Sequence, residues 1–73
     1  MFTTYKNNDG DSGVESYEIG DDYIAVKFYN TAKIYIYSYR KAGINHVERM
    51  KELAASGDGL NSYINTFCRY LYD

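Results

Sequence analysis

The fold is decided by residues 23–39, which read YIAVKFYNTAKIYIYSY. Apolar and polar side chains alternate over residues 23–29, and β-branched and aromatic side chains dominate residues 33–39. Both patterns are typical of strands, and the polar residues 30–32 between them are typical of a turn. A connection this short joins antiparallel neighbours. The sequence therefore predicts a β-hairpin at the centre of the chain.

The length of this turn decides which side chains join the core, because a shift of one residue reverses both faces of a strand. A two-residue turn places Tyr35 and Tyr37 beneath the helices, with Ile34 and Ile36 facing outward. A three-residue turn buries the two isoleucines and leaves the tyrosines on an open aromatic and basic face, of the kind that stacks single-stranded bases. Transfer free energy favours the second arrangement, since burying an isoleucine is worth roughly 1.5–3 kcal/mol and a buried tyrosine needs a partner for its hydroxyl.

Another strand and two helices surround the hairpin. Residues 14–19 alternate weakly and predict a short strand, which the turn residues 20–22 connect to the hairpin. After Arg40 the apolar residues recur at steps of three and four, which predicts an amphipathic helix. This helix begins either near Lys41 or at Asn45, where Asn45 and Glu48 have the spacing of a capping box. Its apolar stripe comprises Ile44, Val47, Met50, Leu53 and Ala54.

The last helix shows the most regular pattern in the chain. Gly57 is expected to close the preceding helix in the left-handed conformation, and Asp58 to cap the next one. The apolar positions of that helix are Leu60, Tyr63, Ile64, Phe67, Cys68 and Leu71. The predicted fold class is α+β: a three-stranded antiparallel β-meander covered on one face by two C-terminal helices, in the order βββαα.

With 73 residues the chain is long enough for one small domain. We place that domain at residues 14–73 and predict that residues 1–13 form a flexible N-terminal segment, because residues 7–13 are polar and rich in turn formers. The chain has one cysteine, no apolar block of a secretory signal and no apolar run long enough to span a membrane. These features predict a cytoplasmic location and no association with membranes.

The sequence contains few side chains in an arrangement suited to catalysis. Cys68 lies on an apolar stripe and is expected to be a buried, inert thiol, while His46 is expected to face solvent. One histidine and one cysteine cannot complete a zinc shell, and the calcium-loop spacing that begins at Asn7 lacks the required glycine. Gly57-Asp58-Gly59 is read as a tight interhelical turn, because Asp58 would repel a phosphate. We therefore predict no enzyme activity, no metal and no cofactor.

Charge is distributed unevenly along the chain, although the net charge is only −2. Residues 1–26 hold six acidic side chains and one basic one, whereas residues 27–51 hold six basic side chains and one acidic one. A basic middle third interleaved with tyrosines is compatible with nucleic-acid binding, and equally with a dispersed, solubilising surface charge. The candidate nucleic-acid-binding residues are Lys27, Tyr29, Lys33, Tyr37, Tyr39, Arg40 and Lys41.

Spacing across three predicted elements resembles the KTSC domain, a short module found alone in bacterial proteins and at the C-terminus of some lysyl-tRNA synthetases. The resemblance covers about residues 14–72 and depends on Tyr35, Tyr37, Gly57, Leu60, Asn61, Ile64 and Tyr70. The chain lacks the proline that often opens the first helix of the family, and Ala42-Gly43-Ile44 stands in its place.

The resemblance implies that most of these motif residues are structural. The middle residue of the Tyr-x-Tyr motif is often polar in the family, so the resemblance implies that Tyr35 and Tyr37 point inward. It also implies a non-enzymatic binding module without an established activity, for which RNA binding has been suggested. Two functions remain open: weak binding of RNA or single-stranded nucleic acid, and a protein–protein interaction or self-association through outward-facing Ile34 and Ile36.

Overall fold

The computed structural model of the chain describes residues 1–8 and 13–73. Within them, four strands form one antiparallel sheet in chain order. The strands are β1 (Thr3–Thr4), β2 (Val14–Ile19), β3 (Tyr23–Phe28) and β4 (Ile34–Ser38). Two helices, α1 (Ile44–Ser56) and α2 (Leu60–Tyr63), follow the sheet and pack on it, and α2 continues into a π-helical turn over Ile64–Cys68. The α+β class, the meander and the two C-terminal helices are therefore as predicted.

The sheet contains one strand more than the three predicted. In β1, Thr3 pairs with Tyr17 and Thr4 pairs with Ser16 of β2. Two threonines are too short a run to show the alternation by which a strand is recognised in sequence, and polar residues follow them. The prediction of a three-stranded sheet is therefore wrong, because β1 adds a fourth strand at the edge.

The residues after β1 form hydrogen bonds to the turn between the two helices. Tyr5 is buried, and its hydroxyl accepts a hydrogen bond from the amide of Leu60 at 3.2 Å. Asn8 donates to α1 twice, from its backbone amide to the carbonyl of Gly57 (2.7 Å) and from Nδ2 to the carbonyl of Ser56 (2.9 Å). Residues 3–8 therefore contact the core and the interhelical turn, although they belong to the segment predicted to be flexible. Residues 9–12, at the centre of that segment, lie outside the described residues.

The hairpin adopts the register of the two-residue turn. Val26 pairs with Tyr35 and Ile24 pairs with Tyr37, so the tyrosines share the face that packs against the helices. Tyr37 is 1% exposed, and both isoleucines of β4 are more than 40% exposed on the outer face. The orientation implied by the Tyr-x-Tyr motif is confirmed, and the one favoured by transfer free energy is wrong. Large rings fill the space beneath the short helices, with edge-to-face ring contacts that isoleucine cannot make.

Glycines with positive φ set both ends of α1. The helix begins after Gly43, which has φ 97° and ψ 145°, and no side chain caps it. Asn45 lies within the first turn, so the predicted capping box does not form. The C-terminal prediction is confirmed, because Gly57 has φ 79° and its amide donates to the carbonyls of Leu53 and Ala54. A Cβ at position 57 would also lie 2.5 Å from Cβ of Lys6, so only glycine fits there.

The second helix differs from its prediction at both ends. Its N-cap is Gly59, with φ 83°, and no side-chain cap from Asp58 forms. Instead, the hydroxyl of Tyr5 accepts a hydrogen bond from the amide of Leu60, the first residue of this helix. At the other end, the wide π-helical turn places Cys68 in the core and leaves Phe67 55% exposed, so the inward orientation predicted for Phe67 is wrong.

The core lies between the inner face of the sheet and the two helices. It contains Tyr5, Val14, Ile24, Val26, Tyr37, Ala42, Val47, Met50, Ala54, Leu60, Ile64 and Cys68. Every helix position in this set belongs to a stripe predicted from the sequence. Ala42 precedes α1 in the loop after β4.

Changing Tyr5 to phenylalanine tests whether the N-terminal segment stabilises the helical turn. Tyr5→Phe keeps the buried ring but leaves the Leu60 amide without its acceptor, and we expect unfolding free energy to fall by about 1 kcal/mol. Tyr5→Ala should cost about 3–5 kcal/mol, because it also empties the core position. Urea unfolding measures both changes. Tyr29→Phe is the control, since Tyr29 is exposed, and a Tyr5→Phe variant as stable as this control would contradict the expectation.

Burial of Tyr37 predicts loss of stability in alkali. Desolvation raises the pKa of Tyr37 above its ordinary value of 10.0, and the neighbouring Cys68 adds to the shift. The fold therefore favours the neutral phenol, and this contribution is complete below pH 10 and lost as the pH rises through the folded-state pKa. Tyr37→Phe should reduce the fall in unfolding free energy per pH unit above pH 10 by up to about 1.4 kcal/mol. Denaturant unfolding between pH 9 and about 11 measures it, and an unchanged slope, equal to that of Tyr29→Phe, would count against the expectation.

Candidate aromatic groove

A groove of about 460 Å³ opens between the end of the β3–β4 hairpin and the C-terminal residues. Its hairpin wall consists of Phe28, Asn30 and Thr31, and its helical wall consists of Ile64, Asn65, Arg69 and Tyr70. Tyr35 and Tyr37 of β4, together with Tyr72, complete the lining. We call this feature the aromatic groove. Its volume falls in the range of about 300–1,000 Å³ that is usual for small-ligand sites.

Aromatic side chains order the interior of the groove through edge-to-face contacts. The ring centroids of Phe28 and Tyr35 lie 5.5 Å apart with nearly perpendicular planes. Tyr72 contacts both tyrosines of β4, at 4.8 Å from Tyr35 and 6.4 Å from Tyr37. Such pairs contribute about 0.5–1.5 kcal/mol each beyond the area they bury. The rings of the groove therefore hold one another in fixed orientations.

Hydrogen bonds to β4 hold the C-terminal residues that carry Tyr72. The amide of Asp73 donates to the carbonyl of Ile36 at 2.7 Å, and the hydroxyl of Ser38 donates to Oδ1 of Asp73 at 2.8 Å. The chain also turns back after the π-helical turn, where the amide of Leu71 donates to the carbonyl of Cys68. These bonds place the residues after Cys68 along the free edge of β4 and bring Tyr72 against Tyr35.

Two cations lie against the tyrosine rings of the groove. Nζ of Lys33 is 5.0 Å from the ring centroid of Tyr35 and 5.1 Å from that of Tyr72. The guanidinium of Arg69 is 5.5 Å from the ring centroid of Tyr70. In residues 1–8 and 13–73, neither cation pairs with a carboxylate. The tyrosine rings of the groove are thus contacted by two cations that have no ion pair in the part of the chain that the structure describes.

The other basic side chains of the sheet and of α1 do have acidic partners. Lys27 lies on the outer face of the sheet in an ion pair with Glu15. On α1, Arg49 pairs with Glu52 and Lys51 pairs with Glu48. These three cations are therefore unavailable as a continuous basic surface.

The remaining candidates from the basic middle third are spread over the molecule. Tyr29 is exposed at the hairpin end but does not line the groove, and Tyr37 is buried. The hydroxyl of Tyr39 donates to Glu48, which lowers the pKa of that carboxyl and raises the pKa of Tyr39. Arg40 and Lys41 line a separate hollow of about 370 Å³ together with Ser38 and Asp73. Of the predicted set, only Tyr37 lines the groove, and Lys33 lies over the rings of Tyr35 and Tyr72.

The residues of the Tyr-x-Tyr and Gly57-to-Asn61 motifs divide between core and surface. Gly57 ends α1, while Leu60 and Ile64 are buried with Tyr37 in the core. Tyr35 and Asn61 are half-buried. Tyr70 is 73% exposed and lines the helical wall of the groove. Most of this set therefore supports the fold, and four of its members, Tyr35, Tyr37, Ile64 and Tyr70, also line the groove.

The only histidine packs into an aromatic cluster on the helices. His46 Nδ1 lies 2.8 Å from the hydroxyl of Tyr63, and its ring stacks on Phe67. His46 is thus half-buried, not solvent-facing as predicted. Cys68 is buried, and burial raises its thiol pKa, the opposite of what an activated nucleophile requires.

The described residues hold neither a cluster of metal ligands nor a membrane-spanning helix. Residues 1–8 and 13–73 contain no group of three histidine, cysteine or acidic side chains placed to hold a metal ion. The calcium-loop spacing that begins at Asn7, which the sequence analysis rejects, includes Asp9 and Asp11, and these two lie outside the described residues. None of the helices that the structure describes has the length and apolar character needed to cross a membrane.

Arg69 and Tyr72 are not among the candidate residues predicted from the sequence, and Tyr70 is predicted only as a structural motif residue. Arg69, Tyr70 and Tyr72 alternate a basic residue with tyrosines in the last five positions of the chain. This is the same interleaved pattern that singled out the middle third. The apolar pattern predicts that the last helix continues to Leu71, whereas the described chain leaves the helix after Cys68, with Arg69 and Tyr70 exposed and Tyr72 half-buried.

No protein-family model, curated protein or solved structure matches this chain.

Proposed function

We propose that the chain is a small, non-enzymatic, KTSC-like binding module that binds RNA or other single-stranded nucleic acid weakly in the aromatic groove. The observation that carries the proposal is the position of Lys33 and Arg69. Both cations lie over tyrosine rings of one groove, and neither has an acidic partner among the described residues.

Single-stranded nucleic acid combines a regular row of negative charges with flat, unpaired bases. Cationic side chains attract its phosphates, and aromatic faces stack its bases with about 1–3 kcal/mol per base. Tyr70 presents most of its surface to solvent, and Tyr35 and Tyr72 are half-buried at the groove. The groove thus offers both kinds of contact side by side.

The charge of the whole chain sets the strength of this interaction. A net charge of −2 repels nucleic acid at long range, and among the described residues Lys27, Arg49 and Lys51 are paired with acids. Two available cations neutralise about two phosphates, so the binding we propose is weak and only moderately sensitive to salt.

Removing the two cations tests the proposal. We expect a fluorescent single-stranded oligonucleotide of about 12 residues to bind at low ionic strength, with a slope of log affinity against log salt near −1.4. Lys33→Ala and Arg69→Ala should each halve that slope, and the double variant should remove it. Fluorescence anisotropy at several salt concentrations measures both quantities.

Arg49→Ala is the matched control, because Arg49 pairs with Glu52 on α1 and does not line the groove. It should bind as the wild-type chain does. A poly-glutamate peptide of similar charge is the competing probe, and equal displacement of the oligonucleotide by this peptide would point to an acidic protein partner instead. The absence of salt-dependent binding at low ionic strength would reject the proposal.

A second candidate function is self-association or protein binding through the outer face of the sheet. Ile34 and Ile36 lie next to each other on the outer face of the edge strand β4, where they are 45% and 41% exposed. Exposed aliphatic side chains of this kind, on an edge strand, are typical of contact surfaces.

Self-association predicts that the molecular mass depends on concentration. The wild-type chain should sediment as a dimer at high protein concentration, and Ile34→Ser with Ile36→Ser should sediment as a monomer because the shared apolar area is lost. Ile44→Ser is the control, since Ile44 is exposed to an even larger fraction, 55%, but lies on α1. A wild-type monomer at the highest concentration reached by sedimentation would count against self-association.

A further inference from the structure

Two side-chain amides face the aromatic groove from its two walls. Asn30 belongs to the hairpin wall and Asn65 to the helical wall, and both are exposed. Neither side chain makes a hydrogen bond to any residue in the described ranges. The turn that carries Asn30 is held by the hydroxyl of Thr31, which accepts from the amide of Lys33 at 3.1 Å. Each amide has donors and an acceptor that a ligand can use.

The π-helical turn determines where Asn65 points. Ile64 and Cys68 are both buried, one at each end of the turn, and therefore fix its orientation against the core. Asn65 and Arg69 each follow one of these anchors by a single residue, so they emerge on the same side of the turn and both line the groove. A π-helical turn is rare and frequently marks a functional site. Here it brings an amide and a cation together.

The arrangement differs from that of a platform which only stacks bases. Stacking tolerates every base, because each has a π-face. Amide groups beside the rings can form hydrogen bonds to the edge of a base, where donors and acceptors differ between adenine, cytosine and uracil. An anionic ligand without such an edge would use the cations and leave both amides unused.

We infer that the aromatic groove holds one unstacked base of a single strand and that Asn65 and Asn30 read its edge. This inference rests on the proposed function and assigns the two amides as its specificity-determining residues. Lys33 and Arg69 contact the phosphates on either side of the base, and the tyrosine rings stack against it. Binding is therefore selective for one type of base, with the selectivity separable from the electrostatic attraction.

The test compares three RNA tracts of about 12 nucleotides, made of adenine, cytosine or uracil only, by fluorescence anisotropy at one low salt concentration. The wild-type chain should bind its preferred tract at least about fivefold more tightly than the weakest. Asn30→Ala and Asn65→Ala should each reduce this ratio, and the double variant should bring all three tracts within about twofold of each other. Its salt slope should equal that of the wild-type chain, because both cations remain.

Asn45→Ala is the matched control, since Asn45 is an exposed amide on α1 that does not line the groove. It should keep the full preference. Equal binding of all three tracts by the wild-type chain would overturn the inference but leave the proposed function standing, and so would a preference that survives in the Asn30→Ala, Asn65→Ala double variant. Failure of every tract to bind would overturn the proposed function itself.

Discussion

The pairing of Ile24 with Tyr37 is the constraint on which the rest of the molecule depends. Because side chains alternate along a strand, this one pair assigns every residue of β4 to a face. Tyr35 and Tyr37 turn toward the helices, where Tyr72 packs against both rings. The same register places Lys33 at the hairpin end, within reach of the rings of Tyr35 and Tyr72. The burial of Tyr37, the tyrosine lining of the aromatic groove and the position of Lys33 thus all follow from the register of β3 and β4.

Contacts between the chain ends and distant residues complete this arrangement. Near the start of the chain, the hydroxyl of Tyr5 accepts from the Leu60 amide, where α2 begins. At the other end, Asp73 bonds to Ile36 and Ser38 along the free edge of β4. Both contacts satisfy polar backbone groups that would otherwise need water, at a helix end and at a strand edge. Tyr5 and Asp73 therefore provide hydrogen bonds that the start of α2 and the edge of β4 would otherwise lack.

Local pattern predicted the elements of this fold, and long-range contacts account for what it missed. Val14–Ile19 and the Gly57 terminus follow from alternation and from the preference of glycine for positive φ, so they could be read from the sequence. Asp58 was a reasonable cap by residue type, yet Tyr5 accepts from the Leu60 amide across more than fifty residues of chain. The groove could not be predicted from the sequence either, because Lys33 and Arg69 are far apart in the chain and only the fold brings both to tyrosine rings of one groove.

The two faces of β4 separate two kinds of interaction in a very short segment. Its odd-numbered tyrosines belong to the groove, and its even-numbered isoleucines belong to the outer face. The acidic side chains of β2 lie with the isoleucines, where Glu15 pairs with Lys27 and Glu18 accepts from Tyr23. The outer face therefore carries Glu15, Glu18 and the isoleucines, whereas Lys33 lies over the tyrosine rings on the side that faces the helices. A substitution at an isoleucine and one at a groove cation therefore act on different sides of the same sheet, which allows the two proposed functions to be tested independently.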